Sequence, residues 1–166
     1  MKLRALEPQD IEDIYEWEND PMVWQYSDAH IPFSRHFLTQ YILSSTSGDI
    51  YTDKQMRLIG DVDNRAVGCV DLYDFDPTNH RAGIGILVDS RYRNRGYGRR
   101  MLELLIDYCR EYLQVHMLYA YVADYNEASL RMFDSVGFKR MGALFDWLYN
   151  AKTKTYSTAV VMQYLL

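Results

Sequence analysis

A chain of 166 residues, 48% hydrophobic and 25% charged, has the size and composition of one soluble globular domain with a core of its own. Its formal net charge of −5 argues against a general nucleic-acid binder, and no apolar run approaches the roughly 20 residues of a membrane span. The opening MKLRALEPQD lacks the apolar block of a secretory signal. Cys69 and Cys109 stand far apart in apolar surroundings, which suits free buried thiols in a reducing cytoplasm.

Leu3 to Leu6 reads as a short strand. Pro8 suits the first turn of a helix that aligns Ile11, Ile14 and Tyr15 on one face. After a polar, proline-containing segment, Ser34 can cap a second helix presenting Phe37, Leu38, Tyr41 and Ile42, and TSGD follows as a loop. Gln55 to Val62 and Ala66 to Phe75 are strands joined by a DNR hairpin connection, and DPTN turns the chain into a third, Arg81 to Val88. The next helix carries an apolar stripe of Met101, Leu105, Tyr108 and Tyr112 with Leu102 and Cys109 alongside. MLYAYVA (117–123) is a buried strand, Glu127 to Val136 a helix that stops at Gly137, and strands at about 139–149 and 155–165 flank the turn NAKTK. The expected fold is α/β, a mixed sheet with packed helices in the order β-α-α-β-β-β-α-β-α-β-β. No repeat or linker divides the chain, so a single domain over 1–166 is expected.

Charge is unevenly distributed. Residues 1–30 hold eight acids, Asp28 among them, against Lys2 and Arg4, whereas residues 81–100 hold six arginines against Asp89. One end could favour a cation and the other an anion, or the charges merely keep surfaces wet. The segment SRYRNRGYGRRM, between a strand and a helix, has the makings of an anion site. Its glycines can turn several backbone N–H groups into one concavity. The first helical turn has donors without acceptors, and arginines at the rim grip phosphate oxygens. By itself Gly-x-Gly is also compatible with a plain turn. The third glycine of a dinucleotide fingerprint and the Gly-Lys-Ser/Thr of a P-loop are both missing.

Arg93-Asn94-Arg95-Gly96-Tyr97-Gly98 resembles the (Gln/Arg)-x-x-Gly-x-(Gly/Ala) pyrophosphate loop of the GNAT superfamily of acyl-CoA-dependent N-acetyltransferases. NEASLRMFDSVGF, from Asn126 to Phe138, resembles that family's Asn-x-x-(Ala/Ser)…Gly-Phe block, and the element order is similar over nearly the whole chain. The stretch 66–98 is similar to the branch holding ribosomal-protein N-terminal and spermidine acetyltransferases. Where that branch often has Ala-Glu-Ile-Gly, this chain has Ala82-Gly83-Ile84-Gly85.

The resemblance implies acetyl-CoA as cosubstrate and no metal. Ile86, Leu87 and Val88 would splay from the neighbouring strand and offer backbone groups to the pantetheine arm, one N–H polarising the thioester carbonyl. Residues 93–98, with Arg99, would hold the pyrophosphate, and Asn126, Ser129 and the Phe133 position would lie along the cofactor arm. The amine would attack directly, without a protein nucleophile. The family's usual acid is a Tyr at the position of Phe133. A thiol titrates near about 8.5, so the thiolate can leave without full protonation; Tyr125 or a water could substitute. Asp71 is a candidate base or a solvated strand carboxylate, and His80 and His116 read as turn and helix-end residues. Glu18, Trp24 and Tyr26, with Trp17 nearby, could receive a cationic acceptor or simply pack. The acceptor implied is a polyamine, another small cationic amine or a protein N-terminus; the alternative is a non-catalytic acetyl-CoA-binding module. A homodimer through the C-terminal or edge strands is compatible with this reading, and neither nucleic acid nor membrane is implied as a partner.

Overall fold

The computed structural model describes residues 1–26, 31–45, 48–150 and 153–166. Asp28, positions 46–47 of the TSGD loop and positions 151–152 of the NAKTK turn lie outside the described residues.

The chain opens with strand β1 (Lys2–Ala5). Pro8–Asp10 is a single 3-10 turn that runs directly into helix α1 (Ile11–Glu18); proline's fixed φ and missing N–H suit that place. Helix α3 (Arg35–Ser45) starts after Ser34, whose hydroxyl accepts the Phe37 N–H at 3.1 Å. Two one-turn helices, α2 (Pro21–Trp24) and α4 (Ile50–Asp53), lie in segments that the sequence pattern leaves as loop. Each is nucleated by an aspartate cap, Asp20 on the Met22 N–H and Asp49 on the Tyr51 N–H.

Strands β2 (Met56–Val62), β3 (Arg65–Asp76) and β4 (Arg81–Val88) form an antiparallel meander. The β2–β3 hairpin is tighter than the three-residue DNR connection expected, because Arg65 already pairs with Val62. Asp63 and Asn64 both take left-handed φ (52° and 62°), the geometry that matches the twist of flanking strands. Helix α5 (Tyr97–Tyr108), strand β5 (Met117–Ala123), helix α6 (Glu127–Ser135) and strands β6 (Lys139–Asn150) and β7 (Thr155–Leu165) complete the fold. Residues Cys109–Leu113 continue α5 as a π turn, and this corrects the expected stripe. The wider turn rotates Tyr112 off the apolar face, leaving it 70% exposed, while Ile106 is buried instead.

Among the described residues the seven strands are ordered β1-β2-β3-β4-β5-β7-β6, all neighbours antiparallel except β4 and β5. Alternation along β3 divides the interior. Val70 and Leu72 join the larger core with Met101, Leu102, Leu105, Leu118 and Phe133 from α5, β5 and α6. Cys69 faces the smaller core, with Ile14 and Trp17 of α1, Leu38 and Ile42 of α3, and Ile59 of β2. Helices thus cover both faces of the β1–β4 half.

Candidate active site

The parallel pairing of β4 with β5 is short: Arg81 with Met117, Ala82 with Leu118 and Gly83 with Tyr119. Beyond it β4 stays paired to β3 as far as Val88, and β5 to β7 as far as Ala123. The sheet therefore parts into a V, and the edge of β4 from Ile84 onward carries N–H and C=O groups that β5 does not take up. A cleft of about 650 Å³ occupies the opening. Gly85, Ile86, Leu87 and Val88 line it from β4, Asn126, Ala128, Ser129 and Met132 from α6, and Met22, Val23 and Tyr26 from the α2 segment.

At one end lies the arginine–glycine loop. Asn94 and Gly96 take left-handed φ (60° and 77°), and Gly96 is the N-cap of α5, with no side chain to close over its first-turn N–H groups. Those donors are left for an anion. Gly98 serves proximity: a Cβ there would stand 2.5 Å from Met132 Sδ and 3.2 Å from Val88 Cγ2, so a larger residue would require the Met132 side chain to move for α5 to start this close to β4 and α6. Arg93 crosses back to donate to the Val88 carbonyl at 3.1 Å, and Arg93, Asn94, Gly96, Tyr97, Gly98 and Arg99 all line the cleft. Arg95 does not; its guanidinium lies over the Tyr92 ring, 5.8 Å from the centroid.

At the other end are Glu18, from the last turn of α1, and Asp71 of β3. Between them is Arg57 of β2, a lining residue that the sequence reading missed. It donates to both Asp71 oxygens (2.6 and 3.0 Å) and to Glu18 Oε1. The signal was available: Arg57 shares its strand face with Ile59, which is fully buried, and a charge on a buried strand face needs a partner.

Besides Arg95, four expected site residues stand elsewhere. Phe133 is 2% exposed and packed edge-on against Phe138, ring centroids 5.0 Å apart. The end of α6 explains this, since Gly137 N–H bonds to Asp134 O and Phe138 N–H to Phe133 O, a helix stop that brings these two side chains together. Trp24 donates its indole N–H to the Glu18 carbonyl at 2.6 Å, outside the cleft lining. Tyr125 donates to the Gln25 carbonyl at 2.7 Å and sets its ring against Tyr26, joining the α6 side to the α2 segment across 100 residues of chain. Trp17 is core, its indole N–H on Asp89 at 2.9 Å.

The acidic N-terminal region is likewise not a free cation surface. Asp10 pairs with Arg4, Glu12 with Arg35, Asp13 and Glu16 with Arg91, and Glu18 with Arg57. Arg91, one of the loop arginines, is thereby committed to α1 rather than to the cleft. Gly83, where the branch often has a carboxylate, has its side-chain space filled: a Cβ there would stand 2.2 Å from the Tyr73 ring. Both thiols are buried, and burial pushes Cys69 and Cys109 up to about 12, so neither is a nucleophile near neutral pH. No group of His, Cys, Asp and Glu among the described residues is arranged to hold a metal ion.

An open strand edge, a bare helix N-terminus flanked by arginine and a carboxylate pair at the far end define a protein that lays an extended, phosphate-bearing ligand across its sheet toward a polar partner. The family model described as an acetyltransferase (GNAT) domain matches residues 1–139; the chain belongs to that family and is an acetyl-CoA-dependent N-acetyltransferase. Spermidine N(1)-acetyltransferase of Escherichia coli K12 is 26% identical over 145 residues, covering 87% of this chain and 75% of that protein. The L-amino acid N-acetyltransferase AaaT of the same organism is 25% identical over 164 residues, covering 92% and 97%. In fold the chain is similar to spermidine N-acetyltransferase of Vibrio cholerae solved with CoA and spermine, with a TM-score of 0.88, 22% identity and coverage of 99% and 94%. A dodecameric structure of that Vibrio enzyme has a TM-score of 0.81, 22% identity and coverage of 99% and 92%.

Proposed function

We propose that the chain acetylates a primary amine of a small polycation, a polyamine first. The observation that carries this is one continuous cleft running from the uncapped N-terminus of α5 to the carboxylates of Glu18 and Asp71. In this reading the acetyl-CoA pyrophosphate meets the 93–98 loop and Arg99, the pantetheine arm follows Ile86, Leu87 and Val88, and Asn126 and Ser129 flank it. A backbone N–H on the free edge of β4 polarises the thioester carbonyl. The amine docks as an ammonium against Glu18 and Asp71, beside Tyr26, and loses one proton to Asp71 or a water. Its lone pair then forms the N–C bond as the C–S bond breaks and CoA leaves as thiolate, which takes up a proton from solvent. Polyamine relatives support the acceptor class, and the two carboxylates supply the charge that it needs.

The reading includes one acetyltransferase domain over 1–166 and a cytoplasmic setting, supported by two free buried cysteines. It also includes a homodimer, supported by β6, which forms the outer edge of the sheet and exposes Met141, Phe145 and Trp147. The deciding experiment is thiol release from acetyl-CoA against a panel of polyamines, aminoglycosides, amino acids and short basic peptides. Turnover with spermidine or spermine is expected. Turnover confined to amino acids or to peptides would overturn the polyamine assignment.

A further inference from the structure

Arg57 is an unusual residue to find where it is. Its side chain is 16% exposed, beside a cleft proposed to receive a cation. Burying a guanidinium is costly unless its N–H groups are taken up, and here they are taken up by carboxylates from two elements, with an aromatic ring from a third nearby. Asp71 lies directly opposite across β2 and β3 and accepts from Nε and Nη2; Glu18 ends α1 and accepts from Nη1; the Tyr41 ring of α3 lies 5.8 Å from the guanidinium carbon. The position of Asp71 ties this bridge to the chemistry. Asp71 pairs in register with Gly85, and a Cβ at Gly85 would lie 3.7 Å from Asp71 Oδ2. Gly85 stands two residues beyond the last β4–β5 pair, so this carboxylate lies at the vertex of the V.

The bridge holds two carboxylates and one guanidinium, a net charge of −1 at the vertex. That balance matters for an amine that must dock charged and react neutral. Nearby carboxylates stabilise an ammonium and hold back its deprotonation; a nearby cation opposes them. We infer that Arg57 is the positioning residue of the acceptor site, fixing Asp71 and Glu18 in place and cancelling one of their charges so that a bound ammonium can still lose its proton. This rests on the amine-acceptor reading above and deepens it: the vertex is a subsite for one ammonium group, and the further charges of a polyamine lie outside it.

The titratable groups packed on Arg57 are Glu18 from α1, Tyr41 from α3, and Cys69 and Asp71 from β3. Burial raises both Tyr41 and Cys69, the latter to about 12, so neither carries charge through the neutral range. The pH dependence of turnover near neutrality then belongs to the bound amine, under the field of the charges fixed around it.

The test uses paired variants with opposite expected signs, measured with spermidine over pH 6 to 10. Arg57→Met leaves two uncompensated carboxylates, and the midpoint of kcat against pH moves up by about one unit, the size expected of one neighbouring charge. Glu18→Gln removes one carboxylate, so the midpoint moves down and KM for spermidine rises about tenfold. Arg57→Lys keeps the charge and returns the midpoint to the wild-type value, although its single ammonium cannot hold both Asp71 oxygens. Circular dichroism and acetyl-CoA calorimetry establish that each variant is folded with its cofactor end intact. If Arg57→Met does not fold, Glu18→Gln and Arg57→Lys carry the test. Wild-type turnover with an unmoved midpoint in folded Arg57→Met, or in Glu18→Gln where Arg57→Met does not fold, would overturn this inference and leave the acceptor reading standing. Absence of wild-type turnover with every amine would overturn both.

Discussion

At the scale of single residues, the cofactor end rests on glycines and on the arginines Arg93 and Arg99. Gly96 needs its left-handed φ, yet a Cβ there would meet no atom within 4 Å, so a side chain at this position would project into open space beside the uncapped helix end. The double variant Arg93→Ala/Gly96→Asp removes a guanidinium and adds a carboxylate where phosphate oxygens are proposed to sit. Acetyl-CoA affinity should fall at least about a hundredfold, the combined effect of losing a charge-assisted contact and adding a like charge. Calorimetry measures it, and unchanged affinity in a folded double variant would remove the pyrophosphate assignment. Phe133 teaches the opposite lesson. A motif position implied a place along the cofactor, but the helix stop at Gly137 draws its ring onto Phe138 in the core. What the motif could not show was which way the ring would pack, because that depends on a contact after the helix has ended.

At the scale of elements, the first helix is fastened to the sheet by hydrogen bonds and ion pairs to three buried carboxylates, Asp10, Asp61 and Asp89. Arg4 of β1 bonds to Asp10 twice at 2.7 Å and to Asp61 of β2 at 2.8 Å; Asp89, beyond β4, accepts from Trp17 of α1 and from Arg91. The Arg4 hydrogen bond holds Asp61 below the usual carboxylate range. For Asp89 burial pushes upward, but the hydrogen bonds from Arg91 and Trp17 outweigh it and the net direction is also down. Carboxylates that titrate lower in the folded chain stabilise it above their unfolded value, near about 3.9, and that contribution is lost as pH falls through the folded values. The thermal midpoint should therefore hold between pH 7 and 5 and fall below about pH 4. Scanning calorimetry across that range checks the sign; a midpoint still level at pH 3 would contradict it. The same kind of pairing explains why much of the acid-rich N-terminal stretch is not a free cation surface. Sequence counts eight acids, but arginines from β1, α3, β2 and the segment after β4 reach five of them only after folding.

At the scale of the whole molecule, the sheet is covered unevenly. Helices pack on both faces of its β1–β4 half, whereas β6 ends it as an edge strand with Phe145 82% and Trp147 57% exposed. A large apolar residue on a free strand edge invites a second chain. Sedimentation at micromolar concentration should show self-association, and Phe145→Lys combined with Trp147→Lys should shift the protein toward monomer while leaving acetyl-CoA binding intact. A wild-type monomer at all concentrations would remove the dimer from the proposal. No helix among the described residues is long and apolar enough to cross a membrane.

What the sequence determined by itself was local. Hydrophobic period, caps and turn residues set the long elements and their order, and the spacing of Arg93-Asn94-Arg95-Gly96-Tyr97-Gly98 before an amphipathic helix marked the anion end, because a loop and the helix it opens are contiguous in the chain. The tertiary structure alone decided what depends on residues far apart. It ended the β4–β5 pairing after three pairs, where the family resemblance had implied only that the strands splay, turned Phe133 inward, and set Arg57 between Glu18 and Asp71, 39 and 14 positions away. The physical reason is that a charge's neighbours, and so its chemistry, are set by strand register and helix packing, neither of which is written at the position of the charge itself.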